Sequence, residues 1–406
     1  MTLFDINTIR AQFPALSLKV GDAPLTYLDS GASAQKPQCV IDRIAHAYAY
    51  EYANVHRGLH HLSNLATEHY EAARKSVQSF VNAEKEQEII FTKGATEALN
   101  LVAQTLLIPD IKAGDEIIIS QMEHHSNIVP WHFLRERYGA VLKWIPVLED
   151  GSLDMEAYQS LLSKRTKLVA ITHMSNVLGT VNPIQKITEL AKEMGAYVVI
   201  DGSQAIVHQK VDVQAIGCDF YAFTGHKLYG PSGIGVLYGR HALLSNMRPF
   251  LGGGEMIASV SEEKITYASP PECFEAGTPP IVQAIGLARA IEFVEDIGYE
   301  AIQQHEEALL QQTTQALRGM NKIRILGEAE GKGAIVTFAI KDIHAHDISM
   351  LLNQYGVAVR AGSHCAEPLM KRFNETSTCR ASFALYNNED DVTRFIEALE
   401  KTIRFF

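Results

Sequence analysis

Short apolar runs alternate with amphipathic stretches through the middle of the chain. The runs at 88–92, 116–120, 167–172, 197–201, 219–223 and 235–238 are rich in Ile, Val, Leu, Phe, Tyr and Ala. Continuous apolar runs of this length predict strands buried on both faces of a sheet. Helical patterns stand between them, at 95–102, from about 127, and around 187–194. This β–α alternation predicts an α/β fold with a mostly parallel sheet covered on both sides. The character changes after Gly277-Thr278-Pro279-Pro280. Helical patterns at 282–297 and 299–317 lead to a strand at 334–338, a helix at 346–355, strands at 357–360 and 380–384, and a last helix at 390–404. That reads as a smaller α+β domain. The expected division is a large domain over 18–280 and a small one over 281–406, joined by residues 1–17. No repeat or low-complexity segment interrupts the pattern.

Composition narrows the class. The 406 residues are 47% hydrophobic and 20% charged, enough apolar material for a core without disulfide or metal staples. The net charge of −11 argues against a general nucleic-acid binder, which would show a basic stripe. No apolar run approaches the ~20 residues of a membrane span. The first seven residues carry no basic region or apolar core, so no signal peptide is expected. Five scattered cysteines form no C-x-x-C pair, which fits a reducing cytoplasm and a cysteine kept for reactivity.

The chemistry gathers at the ends of the predicted strands. Lys227 lies in a turn framed by Gly225 and Gly230 that joins two apolar strands. A lysine is usually a surface residue; one in such a turn, partly desolvated, can bond an aldehyde as a free amine. Asp201 ends an apolar strand, where open α/β sheets place their ligands. There a carboxylate could hold a protonated pyridine nitrogen, although it could equally cap the next turn. Together the two are what pyridoxal 5'-phosphate (PLP) requires. Gly94-Ala95-Thr96, between a strand and a helix, suits a phosphate, with Thr224 and His226 as further donors; alone it is more often an ordinary helix start. His124-His125 has no zinc-ligand partners at the right spacing, so stacking on an aromatic cofactor is the better use of His124, and no metal is expected. Cys365 follows Arg360-Ala361-Gly362-Ser363-His364, and Arg380 comes on the next strand. A nearby cation favours a thiolate, and two guanidiniums flanking a cysteine suggest a fork for a substrate carboxylate. The other four cysteines read as structural.

These residues together resemble the PLP enzymes of the aminotransferase class V group. More narrowly, the chain is similar to group II cysteine desulfurases of the SufS/CsdA type, some of them selenocysteine lyases. The similarity runs from Tyr27-Leu28-Asp29-Ser30 through Val55-His56-Arg57-Gly58, Glu123-His124-His125, Ser175–Gly179, Asp201–Ala205, Gly225-His226-Lys227, Glu275–Pro279 and Arg360–Leu369 to Arg380-Ala381-Ser382 and Tyr386-Asn387. It implies PLP-dependent transferase fold type I, with a seven-stranded sheet. It also implies that Lys227 bonds PLP, Asp201 binds the ring nitrogen, Gln204 the ring hydroxyl, and His124 stacks on the ring. Thr96, with Ala95, Thr224 and His226, would hold the phosphate, and Thr278 would reach the phosphate of a neighbouring subunit, implying a homodimer. Arg380, with Asn176, Arg360 and His56, would bind the substrate. Cys365 would accept sulfur from L-cysteine or L-selenocysteine and pass it to a SufE/CsdE-like acceptor protein. The short Cys365 loop matches group II. Ser203 and Thr224 replace frequent alanine and serine, and Gly31 a frequent alanine, without removing a needed group. An aminotransferase or β-lyase of the same class, needing no cysteine at 365, is the competing reading; a non-enzymatic scaffold has no use for this set.

Overall fold

The computed structural model describes residues 4–406; residues 1–3 of the segment assigned to the small domain lie outside the described residues. After helices α1 (Ile6–Ala11), α2 (Gln38–His46) and α3 (His61–Phe80), the chain builds β1 (Ile89–Thr92), α4 (Ala95–Val102), β2 (Glu116–Ser120), α5 (Val129–Tyr138), β3 (Val141–Ile145), β4 (Thr166–Thr172), α6 (Ile184–Glu193), β5 (Tyr197–Asp201), β6 (Phe220–Thr224) and β7 (Gly235–Gly239). The seven strands form one sheet in the order β1-β7-β6-β5-β4-β2-β3. Only β7 runs antiparallel to its neighbours.

All six apolar runs became strands of this sheet. The seventh, β3, was not legible as one. It is the edge strand, with only Ile145 buried, and it carries Lys143, whose Nζ donates to Glu116 Oε2 at 2.7 Å. In the central strands successive side chains enter opposite cores. Ile118, Val198, Ile200, Tyr221 and Phe223 share one core with buried residues of α3 and α6. Ile117, Ile119, Val199, Phe220 and Ala222 pack with α4 and Trp131. Both faces are therefore apolar, as a parallel sheet requires.

The second sheet is antiparallel, ordered β10-β11-β13-β12 after the outlying hairpin β8 (Ile257–Val260) and β9 (Ile265–Tyr267). Its strands are β10 (Ile323–Leu326), β11 (Ile335–Ile340), β12 (Arg360–Gly362) and β13 (Thr378–Ser382). The strand expected at 357–360 is in fact split. Val357–Ala358 pairs in parallel with Thr26–Tyr27, whereas β12 pairs with β13. Helices α7 (Ile281–Ile297), α8 (Tyr299–Arg318), α9 (Ala345–Gln354) and α10 (Glu389–Phe405) complete the chain. The buried face of α7 and Ile302 of α8 join the core of the large sheet, whereas Leu309, Leu310 and Leu317 join that of the small sheet. We propose that the two domains meet along α8.

One buried ion pair ties α3 and β1 to the loop before α7. Arg74, 2% exposed, donates to Glu275 Oε1 at 2.7 Å and Oε2 at 2.9 Å, and to the Ile89 carbonyl at 2.8 Å. Glu275 Oε1 also accepts the Phe91 N–H at 2.7 Å. Removing one partner leaves a buried charge unpaired. Glu275→Ala should therefore lower stability by about 3–5 kcal/mol, measured as a fall in the urea midpoint with little change in slope.

Candidate active site

Lys227 sits in the loop between β6 and β7. The loop is tight: Gly225 N–H donates to the Ile234 carbonyl at 2.9 Å, and the N–H groups of Leu228 and Gly230 both donate to the Gly225 carbonyl at 3.0 Å. A Cβ on Gly225 would lie 2.7 Å from Ile234 Cγ2, so no other residue fits without movement. The carbonyl of His226, next to the lysine, accepts from Ala34 N–H at 3.1 Å and Lys36 Nζ at 2.9 Å. Desolvation pulls the Lys227 ammonium down to about 8, against the opposing pull of Asp201.

A cavity of about 700 Å³ opens around this lysine, at the edge where the parallel strands end. Its walls include Ala95, Thr96, His124, Asn176, Asp201, Gln204, Thr224, His226, Arg360, Cys365 and Arg380 as well as Lys227. Asp201, at the end of β5, is buried, and its Oδ1 accepts from Ser203 N–H at 3.0 Å and Ser203 Oγ at 2.6 Å. Ser203, which stands where alanine is frequent, thus adds a donor that fixes the carboxylate. Gln204 is 3% exposed and its Nε2 has no hydrogen-bond partner among the described residues. His124 accepts the Ser126 N–H at Nδ1 (3.2 Å), and burial first, then Lys227, lowers it to about 4. It is a neutral ring at the cavity wall. Helix α4 begins at Gly94 with no side chain capping it, which leaves the first N–H groups of the helix to the cavity.

Arg360 and Arg380 stand directly opposite each other on β12 and β13. Arg380 is 1% exposed; its Nη1 donates to the Asn176 carbonyl at 2.7 Å, its Nη2 to Asp29 Oδ1 at 3.2 Å, and its Nε has no partner among the described residues. Burial pulls its guanidinium down to about 10. Asn176 donates through Nδ2 to the His364 carbonyl at 2.9 Å, so it holds both Arg380 and the cysteine loop. His364 and Cys365 both adopt left-handed φ values of 55° and 56°. Such non-glycine conformations cost on the order of 1–3 kcal/mol each and persist where neighbours enforce them. Here Asn176 does so, together with the His125 N–H, which donates to the Cys365 carbonyl at 2.9 Å. Cys365 is exposed, whereas Cys218, Cys273 and Cys379 are buried, and burial raises the thiols of all three.

The profile of the aminotransferase class-V family matches residues 26–395. The chain belongs to the aminotransferase class-V family. A protein of Serratia proteamaculans (strain 568) named cysteine desulfurase is 51% identical over 399 residues, covering 98% of each chain. Among solved structures, the cysteine desulfurase CsdA of Escherichia coli superposes with a TM-score of 0.93 at 38% identity, covering all of both chains. The apo cysteine desulfurase of Thermococcus onnurineus NA1 superposes with a TM-score of 0.91 at 37% identity, over 97% of this chain and 99% of that one.

Class-V enzymes bind PLP, and the residues of this cavity fit it. A buried amide donor without a partner among the described residues (Gln204), an uncapped helix start, a fixed carboxylate and a desolvated lysine face one space. One expected residue is outside that space: His56 pairs through Nε2 with Glu71 Oε1 at 2.8 Å. Thr278, expected at the phosphate of a neighbouring subunit, is exposed. Two others went unassigned although they hold the site: Asp29, between the arginines, and Lys36, behind the lysine turn. Asp29 lies in the stretch Tyr27-Leu28-Asp29-Ser30, yet nothing in its local pattern marks a carboxylate that two distant arginines will share. Among the described residues, no group of three or more His, Cys, Asp or Glu side chains is arranged to hold a metal.

A lysine depressed to about 8 keeps more free amine at neutral pH than one at the ordinary 10.5. In protein stripped of cofactor, the rate at which Lys227 captures added aldehyde should rise with pH around a midpoint near 8. A rate still climbing at pH 10, followed by absorbance and absent in Lys227→Ala, would contradict the desolvation argument.

Proposed function

We propose that this chain is a PLP-dependent cysteine desulfurase that converts L-cysteine to L-alanine and leaves the sulfur on Cys365. The observation that carries this reading is an exposed thiol on the wall of the cavity that also holds Lys227, Asp201 and Arg380. The name of the Serratia relative supports the same reaction.

Bound PLP supplies an electron sink for charge developing at the substrate carbon. Lys227 would hold the cofactor aldehyde, and its free amine would carry the proton at the substrate Cα. Asp201 would hold the ring nitrogen in its protonated form, Gln204 would bind the ring hydroxyl, and His124 would stack on the ring. Ala95, Thr96, Thr224 and His226 would hold the phosphate. Arg380 Nε, which has no partner among the described residues, takes the substrate carboxylate, positioned by Asn176 and helped by Arg360. His56 acts at most from outside this cavity. The Cys365 thiolate then attacks the substrate sulfur. One S–S bond forms, the Cβ–S bond breaks, and the carbon takes a proton. L-cysteine and the Cys365 thiol thus give L-alanine and a Cys365 persulfide, which another thiol can discharge.

L-selenocysteine and cysteine sulfinate enter as further substrates of the same site. The enzyme acts as a cytoplasmic homodimer, with Thr278 reaching the phosphate site of the partner subunit. The exposed Tyr48, Tyr50, Tyr52 and Leu59 support a covered surface, Leu59 being 99% exposed. A SufE/CsdE-like protein receives the sulfur for Fe–S cluster assembly or another sulfur-requiring synthesis. No helix among the described residues is long and apolar enough to cross a membrane.

The test is alanine release from L-cysteine with a reducing thiol present. Cys365→Ala should lose it while PLP absorbance stays; full activity in that variant would favour an aminotransferase or β-lyase. Arg380→Ala should keep the cofactor but lower kcat/KM by about 30-fold or more, the scale of losing one buried charged partner. An unchanged KM and kcat would remove Arg380 from the carboxylate site.

A further inference from the structure

A second cavity, of about 720 Å³, lies between α8, the turn after β5 and the loop that leads from β10 to β11. Met174 lines both this cavity and the one around Lys227, so the two share a wall. Its volume is that of a small-molecule site. The charges on its lining do not balance. Three carboxylates, Glu306, Glu307 and Glu328, stand with two cations, Arg318 and Lys332. Arg318 is already used, since its Nε donates to Glu328 Oε2 at 2.9 Å. Lys332 donates from Nζ to the Gly327 carbonyl at 2.7 Å, and among the described residues it makes no ion pair. Burial pulls its ammonium down to about 8, which weakens it as a counter-charge. Glu307 has only an amide on Oε1, from Gln311 Nε2 at 3.0 Å.

Glu306 is the decisive member. It is 3% exposed. His208 Nδ1 lies 2.7 Å from its Oε2, and its Oε1 has no hydrogen-bond partner among the described residues. Buried polar atoms are nearly always paired, and each exception calls for an explanation. A carboxylate oxygen left without a donor is costly. A cationic donor in the cavity would answer both the missing hydrogen bond and the excess of carboxylates.

We propose that this second cavity binds a small organic ammonium ion, which donates to Glu306 Oε1. The cavity around Lys227 selects the other way, because Arg360 and Arg380 on its wall favour a carboxylate. The two cavities thus sort ligands by opposite charge.

The test is calorimetry on the PLP-loaded protein with N,N-dimethylaminoethanol. This tertiary amine carries an N–H when protonated, and it cannot form an imine with an aldehyde. Wild type should give a saturable single-site isotherm. The alcohol 3-methylbutan-1-ol, of the same shape with carbon in place of nitrogen, should not bind. Glu306→Gln should weaken the amine by about tenfold or more, the scale of a hydrogen bond to a charged group. Lys332→Gln provides a check that does not need Glu306→Gln to fold. It removes a like charge and should tighten the amine by about threefold, the scale of a partly screened charge pair. The proposal is overturned if the amine fails to saturate wild type or if the alcohol binds as well as the amine. It is also overturned if Glu306→Gln, with thermal stability intact, binds the amine as wild type does, or if Lys332→Gln does not tighten it.

Discussion

The cavity depends on β7 running antiparallel to the strands beside it. Because it returns, the connection from β6 is a short loop that stays at the edge where the parallel strands end, and that loop carries Lys227. A parallel neighbour would need a crossover of a dozen or more residues, which would carry the lysine away from this edge. The first residue of β7, Gly235, pairs with Thr92 on one side and Thr224 on the other. A Cβ there would lie 2.4 Å from Gly94 Cα. Only glycine lets the uncapped start of α4 come this close to the end of the lysine loop. The same edge receives Asp201 from β5 and the His124 loop from β2, which is where open α/β sheets place their ligands.

That crowding explains the protonation states. Desolvation is the largest cause at Lys227, His124, His226, His364 and Arg380, and each has its cationic form disfavoured. The cations then disfavour one another: Lys227 acts on both His124 and His226, and Arg380 on both Lys227 and His364. Arg380 falls only to about 10 and stays charged, while His364, at about 3, is neutral. The outcome is a site with permanent positive charge at the arginines, a lysine near its titration point, and imidazoles free to stack or accept hydrogen bonds. A carboxylate ligand is favoured at one end and a nucleophilic amine at the other.

What could be read from the sequence was what sits next to its own signal. The six apolar runs became strands because burial on both faces leaves no room for polar alternation. Lys227, Asp201, Arg380 and Cys365 each follow a recognisable strand or turn, and all four line one cavity. The failures are of a different kind. Edge strand β3 borrows polarity from solvent, so its pattern is mixed. The break between Val357–Ala358 and β12 depends on a partner at Thr26–Tyr27, hundreds of residues away. The pairing of His56, one of several polar residues in a single motif, with Glu71 is likewise decided only by tertiary structure. Asp29 is the same problem reversed: its meaning lies in two arginines that the chain brings to it from far downstream.

The segment 26–36 resolves how the two sheets keep a common geometry. Leu28 N–H donates to the Ala358 carbonyl at 2.9 Å, and Ser382 N–H to the Leu28 carbonyl at 2.8 Å, so the segment runs as an addition to the small sheet. A few residues on, Ala34 and Lys36 donate to the carbonyl just before Lys227, and Ser30 Oγ meets Tyr386 Oη at 2.7 Å. Asp29 stands between these attachments. The arginines that would receive a carboxylate and the lysine that would bond the cofactor are thus referenced to one short stretch of backbone. Reaction geometry of this kind tolerates errors of little more than half an ångström. Two sheets joined by α8 alone could drift by more than that, whereas two sheets that share this strap cannot move these edges apart without breaking its hydrogen bonds.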